Sequence, residues 1–251
     1  MSLITREKIK DLIPAPLLRV ILALKWRITI RKIPKAGKYI THVAGKDGIE
    51  IGGPSQLFKF RLPLYWKIRN LDCVNFSDQT VWEGSIREGK TFTWLRGKKG
   101  CQFISDGTSL PKIESETYDF VLSSNCLEHI ANPLKALEEW KRILKSHGAL
   151  IIVLPNKESN FDHRRPFTPF NHLLEDYNNK TTEQDLTHLD EILELHDLQL
   201  DPPAGDLENF KQRSLNNFKN RTLHHHVFNL ETMRLMIQKL GLRCVQTTAT
   251  K

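Results

Sequence analysis

The chain has no long apolar run. No stretch reaches the roughly 20 residues that a membrane span needs, and charges begin at Arg6, ahead of any apolar core with a small-residue cleavage site. A secretory signal is therefore not expected. Cysteine is scarce: Cys73, Cys101, Cys126 and Cys244 are scattered, without a CxxC pair. That removes the common zinc and redox motifs and leaves reduced thiols in a cytoplasmic protein as the expectation. The dinucleotide fingerprint G-x-G-x-x-G is absent, as are HExxH and any Tyr-x-x-x-Lys pair. The basic residues are not interleaved with exposed aromatics in a recognisable reading motif, so no nucleic-acid partner is expected.

What is present is ordinary soluble composition, 39% hydrophobic and 26% charged over 251 residues. That length suits one domain with an insertion. The net charge of +8 is uneven. Residues 1–40 form a basic leader in which Leu17, Val20, Ile21, Leu24 and Ile28 fall near helical spacing among Arg19, Lys25, Arg27, Arg31 and Lys32. Two readings stand: an N-terminal helix packed on the domain, or peripheral contact of residues 1–32 with an anionic membrane surface or a partner protein. The stretch 181–208 leans acidic.

From residue 46 to 155 the pattern alternates. Ile49–Ile51, Arg69–Cys73, Cys101–Ile104 and Tyr118–Ser123 read as strands. Residues 75–100, with Phe92, Trp94 and several glycines, read as loops or a small hairpin. Asn132-Pro133 opens a helix with Leu134, Leu137, Ile143 and Leu144 facing inward, since proline suits the first helical position. After His147-Gly148, the segment Ala149–Leu154 reads as a buried parallel strand. Strand–helix–strand alternation predicts an α/β, doubly wound, mostly parallel sheet. Residues 156–226 break the rhythm and read as an insertion that recognises substrate, because it follows a strand whose carboxyl end faces the ligand edge. Helical periodicity returns in Met233, Ile237 and Leu240, and Arg243–Thr247 reads as a sixth strand. The expected division is a 1–40 leader and a 41–251 domain, with 156–226 inserted.

Four blocks occur in a telling order: Asp47-Gly48-Ile49-Glu50-Ile51-Gly52-Gly53-Pro54-Ser55, Leu71-Asp72, Ile104-Ser105-Asp106-Gly107, and Tyr118–Ile130 with its Leu127-Glu128-His129-Ile130 end. Together they resemble the class I S-adenosylmethionine (SAM)-dependent methyltransferases with a Rossmann-like fold. The resemblance covers residues 46–155, with weaker support at 225–247. It implies SAM as cofactor, with Glu50 and the Gly52-Gly53 turn at the methionine portion. Asp72, 22 residues after Glu50, would take the ribose hydroxyls, as an acid about 20 residues on does in related sheets. Asp106 and Gly107 would meet adenine, and Ser123 and Asn125 would lie beside the transferring methyl. Glu128 and His129 would brace that loop. Pro54 departs from the family's glycine pattern and removes one N–H donor.

For the acceptor, the inserted Asp162-His163-Arg164-Arg165 run, with Thr168, His172, Glu175 and Asp176, supplies candidates. His163 is expected as general base, histidine being suited near neutral pH. Arg164 and Arg165 are expected to clamp an anionic group on the acceptor, with His172 close by. The bland alternative is a loop pinned by Asp–Arg pairs. No metal is expected: His188, Asp190 and Glu191 have no compact ligand spacing, and three adjacent histidines, His224-His225-His226, cannot all face one point. The functional expectation is methyl transfer to a small-molecule or glycan-like acceptor, with oxygen preferred. Two alternatives stay open: a non-catalytic SAM-binding or partner-binding module of the same fold, and an NAD-dependent oxidoreductase or epimerase.

Overall fold

The computed structural model describes residues 33–249, so the leader helix read at 17–28 lies outside the described residues. After helix α1 (Ala36–Val43) come strand β1 (Asp47–Ile51), a π-helical turn at Leu57–Arg61 and β2 (Asn70–Asn75). A two-stranded ribbon follows, β3 (Gln79–Thr80) with β4 (Gly84–Ser85). Next come β5 (Gly89–Leu95), β6 (Lys98–Ile104), β7 (Tyr118–Ser124), α2 (Pro133–Ile143) and β8 (Leu144–Val153). The segment after β8 carries α3 (Phe170–Asn179), α4 (Leu189–Leu195), α5 (Leu207–Leu215) and α6 (Asn217–Asn220), and α7 (Leu230–Lys239) follows.

Six strands form one sheet in the order β5-β6-β2-β1-β7-β8. The inner pairs are all parallel, and only β5 runs antiparallel, against β6. Period-two alternation feeds two cores. Ile49, Ile51 and Val121 pack with Leu134, Leu137 and Trp140 of α2. Leu71, Cys73, Phe120 and Leu122 point the other way and pack with Val43 of α1 and with Phe58 and Tyr65. A sheet covered on both faces in this way is the doubly wound α/β arrangement read from the alternation. The helix at 133 begins as expected: Pro133 takes the first position and the Asn132 side chain accepts from Lys135 N.

Three readings need correction. The helix at 133 ends at Ile143, so Leu144 belongs to β8, an edge strand in which only Leu144 and Ile151 are buried rather than one covered on both faces. The second strand runs on to Asn75 rather than ending near Cys73. The segment Arg243–Thr247 forms no strand among the described residues. Val245, its apolar centre, is 63% exposed and buries nothing that would hold a strand in place. Residues 75–100 form the β3–β4 ribbon and the first half of the β5–β6 hairpin, as their composition suggested. Among the described residues, no helix is long and apolar enough to cross a membrane.

Candidate functional site

The strand order reverses between β1 and β7, which places a crevice at their carboxyl ends. Glu50, next to last in β1, is fully buried. Its Oε2 accepts from the Tyr65 hydroxyl, which also accepts from Ser55 N at 2.7 Å. Its Oε1 is buried without a hydrogen-bond partner. Burial pushes the Glu50 carboxyl up to about 8, outweighing the Tyr65 hydrogen bond that favours the charged form. The loop above requires glycine for two separate reasons. Gly52 has φ +79°, and a Cβ there would lie 2.9 Å from Cys126 Sγ. A Cβ on Gly53 would lie 2.5 Å from the Glu50 carboxyl. The Gly53–Pro54 bond is cis, and Asn75 Nδ2 holds the Gly53 carbonyl at 3.1 Å.

Across the crevice, Ser123 is buried in register with Ile51. Asn125 adopts φ +48°, a left-handed conformation that asparagine tolerates, and its N–H donates to Val153 O at 2.9 Å. At the end of β6, Asp106 Oδ1 accepts from Thr108 N, and Asp106 Oδ2 takes Arg221 Nη2 at 3.0 Å. Burial alone would raise Asp106, but the Thr108 hydrogen bonds and the Arg221 charge hold it below the usual range. The Gly107 carbonyl accepts from Trp140 Nε1 at 2.9 Å, which pins this turn to α2.

Asp72 does not stand at the crevice. It lies in the middle of β2, where its carboxylate accepts from Cys101 N at 2.7 Å and from the Tyr118 hydroxyl at 2.8 Å. The ribose role assigned by its distance from Glu50 is therefore corrected. A count of residues locates an acid along a strand only if the strand ends where expected, and β2 continues three residues beyond Asp72.

The inserted segment also departs from expectation. His163 Nε2 pairs with Asp197 Oδ2 at 2.9 Å, and Arg164 pairs with the same oxygen from an exposed position. Neither reaches the crevice. Arg165 is 1% exposed and bound on all sides, to Asp162 at 3.1 Å, Glu191 at 2.8 Å and the carbonyl of His224 at 2.8 Å. It is a buried cross-link whose donors are taken up inside the fold rather than presented to an acceptor. The loop pinned by Asp–Arg pairs is thus what the fold contains. His172 lies among histidines, 2.9 Å from His188 between Nε2 atoms. Burial, then the neighbouring His172, pushes His188 down to about 4.

The residues that do meet are Glu128, Asp162 and His224. They line a concavity of about 230 Å³, open solvent included, with Lys157, Val227 and Phe228. His224 Nδ1 lies 2.5 Å from Asp162 Oδ2. Both Glu128 carboxylate oxygens are buried without a partner, and burial raises that group to about 7 against the opposing His224 charge. His129 Nδ1 sits 3.0 Å from Leu223 O and His225 N donates to Glu128 O at 2.8 Å, so the exit loop of β7 is tied to 223–225. The sequence carried a partial signal for this group: an acid in the 162–165 run and a histidine triplet. Only the folded chain says which histidine pairs with which acid.

Residues 76–152 match the family model described as a methyltransferase domain. Two uncharacterized proteins of Methanocaldococcus jannaschii are similar in sequence. One is 54% identical over 65 residues, covering 26% of this chain and 27% of the relative. The other is 40% identical over 71 residues, covering 28% and 34%. The chain thus spans about a quarter to a third of the curated relatives it matches. Among solved structures, a SAM-dependent methyltransferase of Thermotoga maritima is 18% identical, covering 88% of this chain and 77% of that one at a TM-score of 0.44. The YcgJ protein of Bacillus subtilis is 15% identical, covering 82% and 66% at a TM-score of 0.43. Such superpositions are loose. The sheet order is that of a doubly wound α/β fold, and residues 76–152 within it are similar to a methyltransferase domain.

The residues present suit SAM unevenly. The unpartnered Glu50 Oε1 beneath Gly53 suits the cationic amino group of its methionine end. Asp72 is not at the edge, and Asp106 would meet adenine while already holding Arg221.

Proposed function

We propose that this chain transfers a methyl group from SAM to a small-molecule or glycan-like acceptor, at an oxygen atom. One observation carries the reading: an unpartnered, buried carboxylate oxygen on Glu50, under a glycine turn, at the point where the strand order reverses. SAM supplies an electrophilic methyl on a sulfonium. The chain's contribution is to hold the acceptor in line with it. The concavity at Glu128, Asp162 and His224 supports an oxygen acceptor, because it contains a histidine oriented by a carboxylate. With Nδ1 against Asp162, His224 is the residue to take the hydroxyl proton at Nε2. His224 replaces His163 in that role.

Calorimetric titration of SAM, its demethylated product and NAD into the full chain tests the cofactor. Binding of the product without an NAD signal is expected, and the reverse overturns the proposal. Labelled SAM presented with hydroxylated small molecules and glycans then tests turnover. A His224→Gln variant should bind the product normally and lose turnover at oxygen. One observation favours a second reading, a SAM-binding or partner-binding module without turnover: Arg221 already occupies Asp106. Product binding with no transfer to any acceptor class is the outcome that reading predicts.

A further inference from the structure

A second cluster of histidines adjoins the Glu128–Asp162–His224 concavity, whose wall His226 shares. It draws on three segments: His172 on α3, His188 at the entry to α4, and His226 just before α7. Of the 224–226 triplet only His226 takes part, so the objection that adjacent histidines diverge does not apply. One nitrogen from each ring lies within 4.8 Å of the others. The ring centroids are 4.7, 5.7 and 5.8 Å apart. A tetrahedral ion bound to imidazole nitrogens at about 2.0–2.1 Å would set such centroids on the order of 5 Å apart.

An unpartnered carboxylate oxygen stands beside two of the three rings. Asp176 is one helical turn beyond His172, on the same face of α3. Its Oδ2 lies 3.2 Å from His172 Nε2 and 3.6 Å from His226 Nε2, yet makes no hydrogen bond. The Asp176 side chain is only 9% exposed. His226 is 2% exposed and its Nδ1 also lacks a partner. Its Nε2 lies 3.1 Å from Ala131 O, the kind of outer contact that fixes a ligand ring. Buried polar atoms are rarely left unpaired. Here the unpaired Nδ1 belongs to a ring grouped with two further imidazole nitrogens that lie 2.9 Å apart.

The geometry points to a divalent metal site of the zinc type formed by His172, His188 and His226. Three imidazoles suit Zn²⁺ better than Mg²⁺ or Ca²⁺, which take oxygen ligands. An ion held there fastens α3 and the α4 entry to the stretch of chain that leads into α7, with its fourth position left to water. This site is independent of the methyl-transfer reading and survives or fails without it.

The test uses the full chain, stripped with chelator and reloaded. One equivalent of Zn²⁺ per chain is expected by elemental analysis. Co²⁺ in its place should give the visible absorption of a tetrahedral site. Chelator should lower the melting temperature of the parent. His188→Ala and His172→Ala should each weaken Zn²⁺ binding at least tenfold, and their melting temperatures should no longer respond to chelator. His129→Ala, which touches the Glu128 and His224 group instead, should retain the full equivalent. Absence of stoichiometric metal in the reloaded parent overturns the assignment. So does metal retained at full affinity by both His188→Ala and His172→Ala, or metal lost in His129→Ala alone, which would place the ion at the other cluster.

Discussion

Glu50→Gln separates the stability of the crevice from its use. In the folded chain the Glu50 carboxyl is raised from 4.5 to about 8, first by burial. Between those values the folded state keeps a proton that the unfolded state has released. Stability from this group is therefore complete below about pH 4.5, falls as pH rises, and is gone above about pH 8. At about 1.4 kcal/mol per unit, the difference between the two limits is on the order of 4–5 kcal/mol. Glutamine fits the same space, can accept from Tyr65 and does not titrate. Urea unfolding of parent and variant at pH 5, 6, 7 and 8 should give a stability difference that moves in the variant's favour by about 1 kcal/mol per pH unit. Taking the difference cancels Glu128, which titrates in both proteins. Binding should move the opposite way. The carboxylate must shed its proton to face the cationic amino group, so affinity for the demethylated product should rise with pH up to about 8 in the parent. The variant should bind roughly ten- to a hundredfold more weakly, having lost a charge-assisted hydrogen bond of about 1.5–3 kcal/mol. A stability difference flat from pH 5 to 8 would refute the burial argument. Unchanged product affinity in the variant would refute the cofactor role.

Three further outcomes follow from the contacts. Arg165→Met should lower stability by about 3–5 kcal/mol in a thermal or urea melt, because it strands the buried Asp162 carboxylate without its cation. His163→Ala should leave turnover unchanged and the unfolding midpoint little altered, since Asp197 is the one hydrogen-bond partner of its ring among the described residues; a large loss of turnover would restore it as the base. Trp140→Phe removes the hydrogen bond to Gly107 O and should cost about 1–3 kcal/mol. Calorimetry should show weaker product binding as well, because the Asp106-Gly107 turn loses its anchor.

Much of the fold was legible because it rests on short-range rules. Apolar runs of strand length, a proline behind Asn132 and inward-facing leucines specify β1, β7, α2 and β8 without knowledge of the partners. The place of Glu50 was legible for the same reason: an acid near a strand end before two glycines sits beneath a tight turn. Asp72 was not, because its role turns on where β2 stops, and that is set by pairing with β6 as far as Ile104. The last strand failed for a related reason. Val245 and its neighbours alternate well enough, but a strand also needs a surface to cover. In the insertion the sequence displayed the right residue types and concealed their pairing. His163 and Arg164 were conspicuous by position, yet Asp197, more than thirty residues on, claims both.

That pairing also explains why the insertion is so rich in charge. Its own apolar cluster is small: Ile192, Ala204, Phe210 and Leu223 are its buried members. Four such side chains offset only a few residues' worth of conformational entropy. The rest of its order must come from contacts that a surface loop would leave to water. Arg165 ties three segments together, and Arg221 reaches both Asp106 at the sheet edge and Glu183 within the insertion. Glu183 in turn accepts from Ala131 N at the exit of β7. The Arg221–Asp106 and Glu183–Ala131 bonds join the insertion to the carboxyl ends of the strands rather than to itself. The insertion is therefore held in place by the same strand ends that carry Asp106, and a change at Asp106 or Arg221 should loosen it from the sheet edge.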